Sequence, residues 1–503
     1  MAAQESAEGI VGRSSTRLKA RTQTMDYRPE PRREPRKQKM SRSTHTAPES
    51  RGRNPQGYGG VRPSPVAGRK ELSPANEFQT HNLMEAVVER GNMARAWKRV
   101  KANNGAPGVD GKSVKKLGPW LKKNWEAVRE DLLMGRYKPS PVRMVKIPKP
   151  GKRKEKRQLG IPTALDRLIM QALNQVLQPI FEPGFSDSSF GFITGRSAQM
   201  AVERALQYIK EGRDWVVDMD LERFFDLVNH DMLMARVARK VKDKDVLRLI
   251  RRYLQAGIME GGLVSPRWEG TPQGSPLSPL LSNILLDDLD KELESRGHKF
   301  CRYADDCNIY VKTERSGQRV MDSVTRFIEK KLKLKVNWKK SAVARVSKRK
   351  FLGYGVTGGK IRKLKVSDEN VARFKAELKR SFRKGRGQNL DKFIKYVLNP
   401  KIRGWGNYFR LNECLSTFKN LDSWIRRRLR LILWRQWKNP KTRIKRLVAR
   451  GVNRKTASRI AYSGGPWKCS GYWTVGKAIP PYFFVCRGLV SLLNVGMKFQ
   501  RSL

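Results

Sequence analysis

The hydrophobic pattern of this chain changes character near residue 80. Residues 1–78 are rich in Arg, Ser, Pro and Gly and carry almost no aliphatic periodicity. Such a segment buries too little apolar surface to offset ordering entropy, so it is expected to be a disordered basic tail. From Asn82 onward, Leu83, Ala86, Val87, Met93, Ala96, Trp97 and Val100 recur at roughly helical spacing, predicting a helix to Lys101. The turn-rich loop Asn103 to Gly111 follows. Val142 to Ile147 alternates as a strand. With Pro148-Lys149-Pro150-Gly151 and the basic stretch Lys152 to Arg157, it predicts a hairpin. Ala164 to Leu177 reads as an apolar core helix. Trp215 to Asp220 reads as a buried strand ending in acids, followed by a helix around Asp231 to Val241. The block Thr271 to Asn283 opens a helix to about Leu293, with Asp287, Asp288 and Asp290 assigned to its polar face. Phe300 to Tyr310 sets Asp305 and Asp306 between β-prone runs, a hairpin with acids at its turn. Beyond it come an amphipathic helix at Val320 to Leu332, a short strand at Leu334 to Asn337, and Phe351 to Tyr354 between turns. From Ser367 the pattern is helical, roughly 368–382, 389–398 and 413–437.

Charge narrows the partners. Lys and Arg number 106 against 46 Asp and Glu, a net +60 over 503 residues. A compact protein so charged repels itself unless a polyanion screens it. Nucleic acid is the leading candidate and an anionic membrane the second. The membrane needs an amphipathic anchor or a long apolar run, and neither is found. Ile479 to Val495, the most apolar late stretch, is broken by Pro480, Pro481 and Arg487 and reads as core. Five Cys without a C-x-x-C and only four His argue against a disulfide framework, a zinc ribbon or a His-rich metal site. A reducing compartment fits. Met1 to Gly9 is no secretory signal, and scattered Glu and Pro argue against an organellar transit peptide over residues 1–45. In the last helical stretch, Phe418, Leu421, Ile425, Leu429, Ile432 and Leu433 share one side. Arg426, Arg427, Arg428, Arg430 and Arg435 fill much of the rest, beside Trp424, Trp434 and Trp437. That face is read as RNA-facing rather than merely solvated.

The candidate chemistry is carboxylate chemistry. An isolated Asp-Asp is most simply a solvated turn. Clustered carboxylates repel, however, and a divalent cation relieves them. Asp218 and Asp220 fall on one strand face, and chemistry alone does not choose between them. A hairpin returning Arg157 towards Lys149 would form a triphosphate clamp, with a solvated basic turn as the plain alternative.

Three blocks in order change the balance: Asp220 with Phe224-Phe225, then Gln273-Gly274-Ser275-Pro276-Leu277-Ser278-Pro279, then Tyr303-Ala304-Asp305-Asp306. Together they resemble a reverse transcriptase palm, and more narrowly the reverse transcriptase and maturase encoded by bacterial group II introns. The resemblance spans about residues 82–503. Gly105 to Gly111, Leu159 to Pro162, Phe190-Gly191-Phe192 with Gly195-Arg196-Ser197, Leu398-Asn399-Pro400, Arg403-Gly404-Trp405 and Asn407-Tyr408-Phe409 fit as well. It implies Asp220, five residues before the sugar gate Phe225, as the first palm acid. Asp220, Asp305 and Asp306 would then be catalytic and hold two Mg²⁺ (Mn²⁺ substituting), with the Leu221 carbonyl as a further ligand. Lys149, Arg157, Phe225, Gln273, Gly274 and Lys340 would bind the dNTP, Lys340 also as a proton source for the leaving pyrophosphate. Phe351, Leu352, Gly353 and Tyr354 would be the primer grip. Ile193-Thr194 stands where Arg-Pro is common in the family, at the cost of a basic template contact. No His/Cys nuclease module follows, so an endonuclease-lacking type is expected.

The fold class expected is α+β, a right-hand polymerase with an α-helical thumb and a small C-terminal DNA-binding region. The boundaries are 1–78 tail, 79–365 fingers and palm, 366–440 thumb/maturase and 441–503 DNA-binding region. Trp467, Tyr472, Trp473 and Tyr482 lie in the last. The implied partners are group II intron RNA, an RNA template with DNA or RNA primer, dNTPs and target DNA, with no membrane. The expected location is the bacterial cytoplasm, at the nucleoid. The rival readings are a free-standing relative in DNA repair or defence, and an RNA-binding splicing factor with little polymerase activity.

Overall fold

The computed structural model describes residues 81–149, 152–260, 263–265, 269–271 and 274–501. The expected tail and Gln273 lie outside these residues. The chain opens with α1 (Leu83–Val88) and α2 (Arg90–Asn103), where periodicity predicted a single helix. Glu89 divides them. Its backbone is extended, and its carboxylate caps α2 by accepting from the N–H groups of Gly91 and Asn92. The helix α3 (Val114–Leu133), unread in the sequence, fully buries only Val114, Leu117 and Leu132, too few to mark a stripe. The predicted hairpin forms from β1 (Val142–Lys149) and β2 (Lys152–Ile161), pairing Ile147 with Arg157 and Lys149 with Lys152.

Next come α4 (Ala164–Phe181), α5 (Ala198–Lys210) and β3 (Trp215–Asp220). They are followed by α6 (His230–Val237), α7 (Lys244–Gln255), β4 (Ile258–Glu260) and β5 (Leu263–Ser265). Asp243 caps α7 with one carboxylate oxygen, and its other oxygen accepts from the Met84 N–H at 2.9 Å, tying α1 to this helix. Then follow α8 (Ser278–Ser295), β6 (Lys299–Tyr303), β7 (Asp306–Val311) and α9 (Glu314–Lys331). Helix α9 begins earlier than its apolar pattern, because Thr313 and Ser316 form a capping box. The strand expected at Leu334–Asn337 is absent as a ladder: Val336 makes one isolated bridge, to Leu221. Short strands β8 (Ala342–Arg345), β9 (Lys350–Phe351), β10 (Tyr354–Val356) and β11 (Leu364–Val366) complete this part.

The central sheet has the order β6-β7-β3-β8, all antiparallel. Strand alternation divides its two faces between two cores. Val217, Ile309 and Phe300 join one with α4, α8 and α9; Val216, Tyr310 and Cys301 join the other with α5 and the C-terminal helices. A second sheet, β2-β1-β4-β5, carries the hairpin, and a third has the order β11-β10-β9.

The remainder is helical, as expected. Helices α10 (Asp368–Lys384) and α11 (Leu390–Phe393) lead through a π-turn at Ile394–Leu398 into α12 (Asn399–Tyr408) and α13 (Leu415–Gln436). Six shorter helices follow: α14 (Pro440–Val448), α15 (Arg454–Tyr462), α16 (Pro466–Cys469), α17 (Trp473–Ala478), α18 (Pro481–Val485) and α19 (Leu492–Arg501). One core runs across residue 440, joining Phe418 and Ile425 to Leu447, Ile460, Phe484 and Leu492. Asp422 on α13 also accepts from the N–H groups of Leu492 and Leu493 at 3.0 and 3.1 Å, locking α19 in place. Among the described residues no helix is long and apolar enough to cross a membrane.

Candidate active site

Strand β3 delivers Asp220 at its end, and antiparallel pairing sets it opposite Asp306, the first residue of β7. The β6–β7 turn is Ala304–Asp305, tight enough that Ala304 takes φ +57°. Asp218, Asp220 and Asp306 therefore share one sheet face, with Asp305 at its rim. Burial raises the Asp306 carboxyl most, and the charges of Asp218, Asp305 and Asp220 add to it, pushing it up to about 8. Asp305 is raised as well, by burial first and by Asp220.

Asp220 is the most tightly gripped of these acids. Lys340 Nζ donates to its two oxygens at 2.8 and 2.9 Å, and Asn337 Nδ2 donates at 3.1 Å. Its backbone N–H donates to Ser341 Oγ at 3.0 Å, and its carbonyl accepts from the Asn337 N–H at 2.8 Å. Asp218 instead pairs with Arg349 at 2.8 Å. Both aspartates are thus paired with a cation, Asp220 with Lys340 and Asp218 with Arg349, and the charges of both act on Asp306. Among the described residues no three His, Cys, Asp or Glu side chains are gathered into a ready-made metal cage. The donors are nevertheless hard oxygens whose mutual repulsion at Asp305 and Asp306 the nearby Lys340 and Arg157 only partly relieve, a set that fits a divalent cation.

Beneath the acidic turn lies a pair that the sequence pattern misassigned. Asp290 is not on a polar helix face; it is fully buried. Arg302 grips it with Nε at 2.7 Å and Nη2 at 2.5 Å, and both side chains are at most 1% exposed. Arg302 Nη1 also donates to the Ala304 carbonyl at 2.9 Å and to Asn283 Oδ1 at 3.0 Å. Asn283 Nδ2 in turn donates to the Gly191 carbonyl at 2.8 Å. A Cβ on Gly191 would lie 2.4 Å from the Ala304 nitrogen, so only glycine lets that loop rest on the turn. The available signal was an Arg directly after the apolar pair Phe300-Cys301 in the strand before the turn. Asp287 and Asp288 are partly buried too, with Asp288 held by Arg236 and Arg239.

A cleft of about 520 Å³ opens beside the acids, lined by Arg157, Leu159, Arg167, Gln171, Phe192, Phe225, Gly274 and Ser275 among others. Three expected dNTP contacts, Arg157, Phe225 and Gly274, thus meet in one place. Arg157 is also near enough for its charge to lower Asp305. Gly274 has φ +105°, and a Cβ there would lie 2.9 Å from Leu159 Cδ1 and 3.1 Å from the Gly160 carbonyl oxygen, so two sequence blocks touch. Phe225 packs edge-on against Phe224 at 5.2 Å, and its carbonyl accepts from the Thr271 N–H at 2.6 Å. Arg167 and Gln171 were not singled out in the sequence, being hidden on an apolar helix.

The expected primer grip is the β9–β10 turn. Leu352 and Gly353 take φ +51° and +85°, the two positive values of a tight hairpin. The Leu352 carbonyl accepts from Tyr408 Oη at 3.1 Å, and Tyr354 Oη donates to the Tyr408 carbonyl at 2.6 Å. The Asn407-Tyr408-Phe409 block therefore holds the Phe351–Tyr354 block.

The arginine face of α13 needs correction in part. Trp434 and Trp437 are 1% and 7% exposed and belong to the core, where a nucleobase has no access. Arg427 and Arg428 lie over the Trp467 ring at 4.0 and 4.3 Å, and Arg430 Nε donates to the Ile479 carbonyl at 3.1 Å. Much of the guanidinium surface is therefore spent binding the C-terminal helices.

Comparison with known proteins agrees with this geometry. Residues 147–356 match the family model "Reverse transcriptase (RNA-dependent DNA polymerase)", and residues 371–451 match "Group II intron, maturase-specific domain". Protein YkfC of Escherichia coli is 31% identical over 311 residues, covering 54% of this chain and 81% of YkfC. The group II intron-encoded protein LtrA of Lactococcus lactis is 39% identical over 173 residues, covering 34% of this chain and 28% of LtrA. A solved chain of the partial Cas6-RT-Cas1–Cas2 complex is 23% identical, covers 49% of this chain and 42% of its own, and has a TM-score of 0.33. The reverse transcriptase family generally uses divalent metal ions. The chain belongs to the group II intron reverse transcriptase and maturase family, and is an RNA-directed DNA polymerase that carries the maturase domain.

Proposed function

We propose that Asp220, Asp305 and Asp306 are the catalytic carboxylates and hold two Mg²⁺ ions, with Mn²⁺ able to substitute and the Leu221 carbonyl as a further ligand. The observation that carries this reading is the β3–β7 register, which sets Asp220 against Asp306 with Asp305 on the adjoining turn. When bound, such ions lower the pKa of the primer 3′-hydroxyl and stabilise the leaving pyrophosphate. The residues around them orient the reactants. Arg157 with Lys149 holds the triphosphate, Gln273 and Gly274 contact the new base pair, and Lys340 faces the pyrophosphate. Phe225 stacks below the sugar and excludes a 2′-hydroxyl. Phe351 to Tyr354 holds the primer strand.

The second role is binding. The part of the arginine-rich face of α13 that the C-terminal helices leave open takes up group II intron RNA and assists its splicing, and residues 441–503 engage target DNA for retrohoming. The domain limits are those given for the sequence, and the site of action is the bacterial cytoplasm at the nucleoid. The test is primer extension with dNTPs and Mg²⁺ on an RNA template. Wild type should extend to full length. Asp305→Ala should not, and yet should keep most of its splicing assistance. Extension by Asp305→Ala at the wild-type rate would remove the metal assignment.

A further inference from the structure

Arg349 belongs to none of the blocks that carry the polymerase reading, yet its guanidinium reaches two segments that flank Asp220. It directly precedes β9, the first strand of the primer-grip hairpin. One end of its guanidinium forms the 2.8 Å ion pair with Asp218, two residues before Asp220 on β3. The same Nη2 donates to the Lys340 carbonyl, in the turn whose Lys340, Asn337 and Ser341 grip Asp220. Arg349 and Asp218 side chains are only 27% and 18% exposed, so this is not a loose surface pair. The two N–H groups of this one nitrogen suffice for the carboxylate and the carbonyl together.

We propose that Arg349 is a positioning residue for nucleotide addition. It locks the primer-grip hairpin to the loop that holds Asp220, so that the primer end and the acidic site keep a fixed separation. The proposal rests on the polymerase reading above. It adds a residue that touches neither substrate nor metal and acts through Asp218 and the Lys340 backbone. An error of about 1 Å in such a placement costs on the order of 100-fold in rate.

The experiment is single-nucleotide addition under single-turnover conditions with the full chain, well below its melting temperature. Arg349→Met should slow addition about 10- to 100-fold, while half-saturating dNTP and primer–template Kd stay near wild type. Arg349→Lys should restore part of the rate. Combined with Lys340→Met, it should lose less than the product of the two single losses. An independent readout needs no metal. The amides of Lys340 and Ser341 donate to the Asn337 carbonyl at 3.0 and 2.8 Å, and in Arg349→Met they should exchange with deuterium faster. Should Arg349→Met fail to fold, Arg349→Gln also removes the ion pair and carries the same expectations. An unchanged rate with unchanged exchange overturns the proposal, as does a rate loss explained wholly by weaker primer–template binding. Failure of the wild type to extend would instead sink the polymerase reading, and the exchange arm would still report on Arg349.

Discussion

The Arg302–Asp290 pair is the most demanding charge placement in the central sheet. Taking two ions out of water costs several kcal/mol each, and only their mutual contact and further hydrogen bonds offset that. Arg302 finds them in Asn283 and in the carbonyl of Ala304, the strained residue of the acidic turn. Asp290→Asn should therefore lower unfolding free energy by about 3–5 kcal/mol, the usual loss when one partner of a buried pair is removed. Chemical denaturation would check it, and a loss within the range of a surface substitution would show that the pair is not holding the turn. Sequence reading failed here for a physical reason. Asp287, Asp288 and Asp290 look alike along a helix, and only the strand that arrives twelve residues later decides which is covered. Strand alternation placed Asp218 and Asp220 on one face, and only the resemblance, through the spacing to Phe225, chose Asp220.

At the scale of elements, α13 was read nearly to its ends, whereas the first turns of α9 and the break at Glu89 were not. A cap needs only one carboxylate and leaves the apolar spacing intact. The short strand expected at Leu334–Asn337 failed because an apolar alternation of four residues does not secure a partner. Helix–helix joints made of charge were invisible as well. Asp288 on α8 accepts from Arg236 Nε on α6 at 2.8 Å and from Arg239 Nη1 just beyond α6 at 2.7 Å. Partial burial alone would raise its pKa, but the Arg239 hydrogen bond and the Arg236 charge outweigh burial, so it is lowered. A carboxyl lowered on folding adds stability that is complete above its unfolded pKa near 4 and is lost as pH falls through the folded value. Asp288→Asn should thus cost about 1 kcal/mol near neutral pH. The gap to wild type should close as the pH of the denaturation series is lowered from 6 to below 3.5. A gap independent of pH would assign the cost to packing instead.

At the scale of the molecule, the order of the blocks carried the fold, because no single block was specific. The charge carried the partner class. What the sequence could not give was how the charge is stored. Burial lowers Arg428, and the charges of Arg427, Arg435 and Arg383 lower it further. Burial lowers Arg450 in the same way, with Arg446 and Arg487 adding. These guanidiniums stack on aromatic rings, as Arg427 and Arg428 do on Trp467 and Arg450 on Trp437. Stacking covers their faces without supplying an opposite charge. A chain with a net +60 whose fold gathers like charges in this way carries self-repulsion that mobile anions relieve. Two opposite salt responses are therefore expected of one protein. Raising sodium chloride from about 0.05 to 0.5 M should stabilise the free chain by on the order of 1 kcal/mol, or roughly 1 °C in Tm for a chain of this length. Over the same range RNA binding should weaken steeply, since each phosphate neutralised contributes about 0.7 to 0.9 to the slope of log K against log salt. Thermal melting and filter binding across one salt series measure both. A Tm that falls with chloride would mean that exposed ion pairs, such as that of Asp288 with Arg239, outweigh the excess of arginine, and that the fold does not depend on a polyanion to relieve its charge.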